Sequence, residues 1–225
     1  MVLEWHDPKP LSRAWCVWEI ASTVNTKSNF QVLMSPKNQA SFFKALLSEF
    51  DSIVFKTCNV DLAKAEAFKA SDRDSIFKAV EATTGFQEIN KQVIGVMREW
   101  MAQRGREALA QLPENDEFAR LALKMSLARL LHNQGMFREA EPLFRETLEA
   151  HRRILGDSHP GTLNSMNNLA LLLKDQGKFD EAEPLLRDAL RVSRLTLGYV
   201  HPDTLAGIRV DRGQRRLGPH ITQEE

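Results

Sequence analysis

Two histidines that each precede a proline are the first residues that could do chemistry. His159 and His201 stand before Pro160 and Pro202, and the second pair follows the first by 42 residues. Imidazole is a common metal ligand and a common general acid or base. Because the same residue recurs at equivalent positions of two copies, as turn geometry requires and chemistry rarely does, we interpret both as turn residues and expect no metal site.

The cysteines offer a second kind of chemistry. Cys16 and Cys58 have no other cysteine and no histidine at short spacing, and both lie in apolar surroundings. A reactive thiol needs an electropositive and partly exposed setting, whereas a thiol among apolar side chains is inert. We therefore expect buried, reduced thiols in a cytoplasmic protein.

Polar side chains at helical spacing are the candidate partner-binding residues. Two sets lie off the apolar sides of their helices, and these are Arg129, His132 and Asn133, followed by Asn164, Asn167 and Lys174. Asparagine amides offer donors and acceptors to an extended peptide, and cationic side chains attract carboxylates. The alternative is an ordinary solvated helix face.

These residues belong to a stretch that occurs twice. Residues 134–143 read Gln-Gly-Met-Phe-Arg-Glu-Ala-Glu-Pro-Leu, and 42 residues later 176–185 read Gln-Gly-Lys-Phe-Asp-Glu-Ala-Glu-Pro-Leu. Each copy predicts a helix hairpin, in which Gly135 ends the first helix in the left-handed conformation and small alanines let the two helices approach closely. Such hairpins bury their apolar faces by stacking on one another. The third copy fails after Leu205.

With Leu-Ala, Gln-Gly-x-Phe-x-Glu-Ala-Glu-Pro-Leu, Leu-Gly and His-Pro-x-Thr-Leu at this period, residues 126–205 resemble the tetratricopeptide repeats of the kinesin light chain type. The resemblance implies a superhelix of helix pairs whose concave face holds a peptide or a partner protein. On that face the six polar residues above would contact the partner.

The first half of the chain predicts helices that alternate with two strands. Helices are expected over Ser12 to Thr23, Gln39 to Phe50 and Phe86 to Arg104, and strands over Phe30 to Met34 and Ser52 to Lys56. This alternation is an α/β pattern. Because two strands do not make a stable sheet alone, either a partner sheet is missing or the segment is the back half of a larger domain.

A second resemblance covers about Ser12 to Asp61. Trp15-Cys16-Val17-Trp18-Glu19 and the following apolar run look like the Trp-Cys-x-x-Glu helix and strand of Toll/interleukin-receptor (TIR) domains. Some members of that family cleave NAD with the glutamate of this motif, which corresponds here to Glu19. The alternative is an ordinary helix glutamate.

The predicted fold is therefore a partial α/β, TIR-like remnant followed by an all-α tetratricopeptide superhelix. Residues 1–104 form the α/β segment ending in a long helix, 105–115 a linker, 116–208 about two full repeats, and 209–225 a frayed tail.

Charge and hydropathy exclude two classes of partner. The chain has 225 residues, and 30 basic residues balance 30 acidic ones. A zero net charge gives no overall attraction to nucleic acid or to anionic lipid. No stretch reaches the roughly 20 apolar residues of a membrane span. We expect neither a nucleic-acid partner nor a membrane one.

Three functions stay open at this stage. The first is a non-enzymatic scaffold or adaptor, without cofactor, that binds a protein or peptide on the concave face of its repeats. The second is a TIR-type signalling enzyme that cleaves NAD, with Glu19 as the weak catalytic candidate. The third is a non-functional fragment of a longer TIR/tetratricopeptide protein.

Overall fold

The computed structural model describes residues 1–28 and 30–196. The α-helices of this part are α1 (Ala14–Asn25), α2 (Pro36–Thr57), α3 (Ala70–Glu81), α4 (Gly85–Gln111), α5 (Glu117–Asn133), α6 (Phe137–Leu155), α7 (Pro160–Asp175) and α8 (Phe179–Thr196). Short 3-10 turns occur at Lys9–Ser12 and Leu62–Lys64. The chain divides into two compact units, Met1–Leu130 and a second that begins at Leu131. His201, the failed third copy and the expected tail 209–225 lie outside the described residues.

The expected α/β segment in residues 1–104 is corrected by the structure. Within the described part of this range the backbone forms isolated bridges, Val2 to Leu33 and Arg13 to Glu66, and no strand. In the run Phe30 to Met34, the Leu33 N–H donates to the Met1 carbonyl and the Leu33 carbonyl accepts from the Leu3 N–H, each at 2.8 Å. The Met1 amino group also donates to the Gln31 carbonyl at 2.9 Å. Because this contact is an isolated bridge and not a strand pair, the TIR-like sheet is not supported.

The second expected strand, Ser52 to Lys56, lies inside α2. The buried residues of α2 follow a helical period, and they are Phe42, Ala45, Leu46, Phe50, Ile53 and Thr57. A strand would bury Ile53 and Phe55 on the same face, but Phe55 is 69% exposed. The short apolar run is therefore the end of an amphipathic helix. Periodicity over five residues does not distinguish a strand from a helix end.

The core of the first unit forms where α1 and α2 pack on α4. Its α4 positions recur every fourth residue and are at most 1% exposed, and they are Ile89, Val93, Met97 and Met101. On α2, Phe42 is fully buried, and its ring centroid lies 5.5 Å from that of Trp100. One long apolar stripe on α4 therefore organises this unit.

Helix α4 continues through most of the expected linker 105–115 and ends at Gln111. Arg120 closes its end, because Nη1 donates to the carbonyl oxygens of Leu109 at 3.2 Å and Leu112 at 2.9 Å. Pro113 follows, and α5 begins four residues later with Asp116 Oδ1 accepting from the Ala119 N–H at 3.2 Å. Asp116 therefore caps the N-terminus of α5.

In the second unit α7 packs on both α6 and α8. Gly135 and Gly177 have φ of +75° and +78°, as expected for the glycine that ends the first helix of each hairpin. The expected small side chains, Ala140, Ala170 and Ala182, are each fully buried. Larger buried residues complete the core, among them Phe144, Leu163, Met166, Leu172 and Leu186.

The turn from α6 to α7 explains the histidine before proline. His159 caps α7, and its Nδ1 accepts from the Gly161 N–H at 3.0 Å. Thr162 Oγ1 donates to the carbonyl oxygen of Gly156, where φ is +83°, at 2.7 Å. The interpretation of His159 as a turn residue is confirmed.

Candidate partner-binding surface

One side of α7 carries the candidate residues of the second copy. Asn164 is exposed, and Asn167 and Lys174 are half-buried. Leu171, which sequence reasoning did not include, lies on the same side at 37% exposure. Spacings of three and four residues align these side chains along the helix. We call Asn164, Asn167, Leu171 and Lys174 the α7 face.

Hydrogen bonding is incomplete on the α7 face. Asn164 Oδ1 accepts from Asn168 Nδ2 at 3.4 Å, a long bond. Asn167 Oδ1 is buried and has no donor among the described residues. A buried carbonyl without a donor destabilises the folded state by about 1–3 kcal/mol, and Asn167 carries this cost.

His132 has an internal role. Its Nε2 lies 2.7 Å from Asp175 Oδ2, and its side chain is 11% exposed. Its ring centroid lies 5.7 Å from that of Phe137 and 6.3 Å from that of Phe144. His132 therefore joins the last turns of α5 and α7, while the neighbouring Asn133 is exposed.

Arg129 belongs to the first unit, where it has its own partner. Its Nη1 lies 2.8 Å from Asp51 Oδ2, and both side chains are about half exposed. An exposed pair of this kind contributes about 0–1 kcal/mol, so Arg129 can exchange Asp51 for another carboxylate at low cost.

Sequence reasoning missed a carboxylate that links the two repeats. Glu141 Oε2 on α6 accepts from Lys178 Nζ at 2.8 Å and from Gln176 Nε2 at 3.0 Å. Arg145 donates to Glu141 and also to Glu181 of α8, at 2.6 Å. Partial burial alone would raise the pKa of Glu141, but these hydrogen bonds outweigh it and lower the pKa to about 2.

The signal for this cluster was present in the repeat. Glu183 and Arg187 occupy the positions equivalent to Glu141 and Arg145, and they form the same pair within α8. Spacing of four residues predicts that pair in both copies. It does not predict the bonds to Lys178 and Glu181, because these depend on how one hairpin packs on the next.

A histidine and a serine meet between α6 and α7. His151 Nδ1 lies 2.7 Å from Ser165 Oγ, the distance expected of a nucleophile and its base. Ser165 is fully buried, however, and its hydroxyl also donates to the Gly161 carbonyl at 3.0 Å. Burial lowers the pKa of His151. The pair is therefore a packing contact that favours neutral imidazole.

The other candidates for chemistry are dispersed. Glu19 lies exposed on α1, and its backbone carbonyl accepts from Thr23 Oγ1. Burial raises the pKa of Cys58, and burial followed by the charge of Glu19 raises that of Cys16. Both thiols are free, and their raised pKa values leave little of the nucleophilic thiolate. Cys58 is buried as expected, whereas Cys16 is only partly buried. In residues 1–28 and 30–196 no three His, Cys, Asp or Glu side chains are placed to hold a metal ion.

Among residues 1–28 and 30–196, no helix combines the length and the apolar character that crossing a bilayer requires.

Comparison with known proteins identifies the second half of the chain. The family model for the tetratricopeptide repeat matches residues 119–195. A solved structure, that of BtubC (BKLC) from P. vanneervenii, is 16% identical, covers 84% of this chain and 76% of its own, and superposes with a TM-score of 0.45. No curated protein matches the sequence. Residues 119–195 therefore match tetratricopeptide repeats, and the stacked helix hairpins of this part suggest a protein-interaction module.

Proposed function

We propose that this protein is a scaffold or adaptor whose repeats, of the kinesin light chain type, bind an extended peptide or protein segment along the α7 face. The observation that carries the proposal is the row of incompletely bonded amides on that face, Asn164 and Asn167. Such a row matches the alternating N–H and C=O groups of an extended chain.

The remaining groups of the α7 face fit the same partner. The Lys174 ammonium has no hydrogen-bond or ion-pair partner among the described residues and is available to bind a carboxylate. Leu171 offers an apolar contact between the polar groups. Asn133 extends the polar surface at the end of α5, whereas His132 supports it from within.

The proposal is tested by capture of partners with the full-length chain. The immobilised protein and its Asn164→Ala/Lys174→Ala variant are incubated with the same cytosolic extract, and recovered proteins are quantified by mass spectrometry. We expect the variant to lose specific partners several-fold, since each lost hydrogen bond to a charged or amide group weakens binding by about 1 kcal/mol.

The matched control changes α8 instead. Arg187→Ala/Asp188→Asn alters two exposed residues outside the α7 face and should leave recovery unchanged. Equal recovery of every partner by the wild type and the α7 variant would remove the proposed binding surface.

A binding role without catalysis, in the cytoplasm, is part of the same proposal. The unpaired thiols Cys16 and Cys58 support a reducing location. The exposed position of Glu19 on α1 supports an ordinary helix glutamate. Purified protein incubated with NAD should release no nicotinamide above a blank, and release that Glu19→Ala abolishes would instead establish the enzyme.

A further inference from the structure

A groove of about 770 Å³ lies between α6 and α8, with α7 at its base. Its volume is within the roughly 300–1,000 Å³ of ligand-binding clefts. It is lined by α6, by the first part of α8 and by two buried leucines of α7. None of the α7 face residues contributes to it, so this groove is a separate surface of the second unit.

The base of the groove is apolar. Leu148 of α6 and Leu169 and Leu173 of α7 line it, and each is at most 4% exposed. Leu185 and Pro184 of α8 form the opposite wall and are more accessible. A side chain of leucine size entering between the walls would exclude water from these groups, which favours binding by about 25 cal/mol per Å² buried.

The charged side chains at the edge of the groove differ in whether they already have an ion-pair partner. Arg145 is held by Glu141 and Glu181, and Arg152 Nε lies 3.3 Å from Asp157 Oδ1. The carboxylates of Glu149 and Asp180 line the groove and are exposed, and neither has a hydrogen-bond or ion-pair partner among the described residues. The groove is lined by three carboxylates and two guanidinium groups, so its lining is negative overall, and the carboxylates of Glu149 and Asp180 are the ones that are free to pair with a cation.

We propose that this groove is a second interaction surface that binds an extended partner segment in which leucine-like side chains are flanked by arginine or lysine. The apolar side chains lie on Leu148 and Leu185, and the cationic ones pair with Glu149 and Asp180. The charge complementarity selects against acidic segments, because a carboxylate there would face two unpaired like charges.

A synthetic peptide tests the groove directly. A fluorescent peptide with two leucines flanked by arginines is titrated with the full-length protein, and its affinity is compared with that of a peptide with glutamates in place of the arginines. We expect the arginine peptide to bind and the glutamate peptide to bind at least about ten-fold more weakly. Methyl NMR should show shifts at Leu148 and Leu185.

Paired variants locate the binding. Glu149→Gln/Asp180→Asn should weaken the arginine peptide about five-fold, the value expected for two exposed ion pairs. Glu183→Gln/Asp188→Asn removes the same charge from α8 outside the groove and should leave affinity unchanged. The α7 face variant Asn164→Ala/Lys174→Ala should also bind normally. Equal affinity for both peptides, or equal loss in the groove and control variants, would overturn the proposal.

Discussion

Glu141 shows how one side chain joins two repeats. Its carboxylate is 18% exposed and accepts from Lys178 and Gln176 of the following hairpin as well as from Arg145. Glu183 occupies the equivalent position of the second copy, is 60% exposed and, within residues 1–28 and 30–196, pairs with Arg187. Two glutamates in similar sequence contexts therefore have different surroundings, which makes them a natural pair for comparison.

Glu141→Gln should lower the free energy of unfolding by about 2 kcal/mol at neutral pH, since a partly buried charged hydrogen-bond cluster loses its acceptor charge. Glu183→Gln should change it by less than about 0.5 kcal/mol, as for other exposed pairs. Urea denaturation followed by circular dichroism measures both. Equal effects of the two changes would contradict the role of Glu141.

Acid should erase that difference. A carboxyl whose pKa is depressed to about 2 in the folded state contributes stability that is complete above its ordinary pKa of 4.5. The contribution is lost as the pH falls from about 4.5 towards 2. Denaturation curves of the wild type and Glu141→Gln should therefore converge over this range, while curves that stay parallel would exclude the low pKa.

His151 predicts a second pH dependence at a higher range. Burial lowers its pKa in the folded state, so the unfolded chain takes up a proton more readily. The contribution of His151 to the free energy of unfolding should be fully present above the ordinary histidine pKa of about 6.5 and should decrease as the pH falls below it. His151→Gln should reduce the slope of stability against pH between pH 6.5 and 5. An unchanged slope in this variant would contradict the lowered pKa.

Two glycines of helix α4 lie in different surroundings. A Cβ at Gly95 would have no atom within 4 Å, whereas one at Gly105 would lie 3.1 Å from Leu127 and 3.2 Å from Phe50. Both residues are inside the helix, where glycine is less favourable than alanine. Helix α4 thus packs closely against Phe50 of α2 and Leu127 of α5 at Gly105, but not at Gly95.

The two alanine substitutions should have opposite effects. Gly95→Ala should stabilise the protein by about 0.5–1 kcal/mol through helix propensity. Gly105→Ala should destabilise it by about 1 kcal/mol, because Leu127 and Phe50 must shift to admit the methyl group. Thermal unfolding of both variants gives the comparison, and stabilisation by both would mean that the contact at Gly105 is loose.

At the scale of the whole molecule, the main correction concerns fold class. The first unit, expected to contain part of a parallel sheet, is built on α1, α2 and α4 in its described part. The described residues of the first unit contain no strand, so they form no carboxyl edge of a sheet of the kind that a TIR-type nucleotide pocket uses. Helices are thus the main secondary structure of both units, and the matched repeats, residues 119–195, begin at the end of the first unit and continue through the second.

The helical fold is directly measurable on the full chain. Far-ultraviolet circular dichroism should show a helical spectrum, and the infrared amide I band should lack a substantial strand component. Residues 1–130 would contribute a clear strand signal if they contained the alternation of helices and strands that their sequence suggests. A strand component above that of all-helical repeat proteins would contradict the helical fold and support an α/β fold of the first unit.

The amino-acid sequence alone predicts the helix hairpins of the second unit, their turns and several of their buried residues. A period of 42 residues, with glycine, proline and alanine at fixed offsets, predicted hairpins whose turns at Gly135 and Gly177 and buried alanines the structure contains. Repetition supplied the missing information, because a pattern that occurs twice separates structural residues from incidental ones. It also identified His159 as a turn residue rather than a catalytic one.

Tertiary structure decided what short local patterns leave ambiguous. The five residues Ser52 to Lys56, three of them apolar, fit a strand or a helix end equally, and only the burial of Ile53 beside an exposed Phe55 selected the helix. The same holds for the polar candidates. His132 and Arg129 lie off the apolar stripe by sequence, yet Asp175 and Asp51, distant along the chain, engage them. Helical periodicity determines the side of a helix on which a residue lies, but the partner it meets there depends on long-range packing.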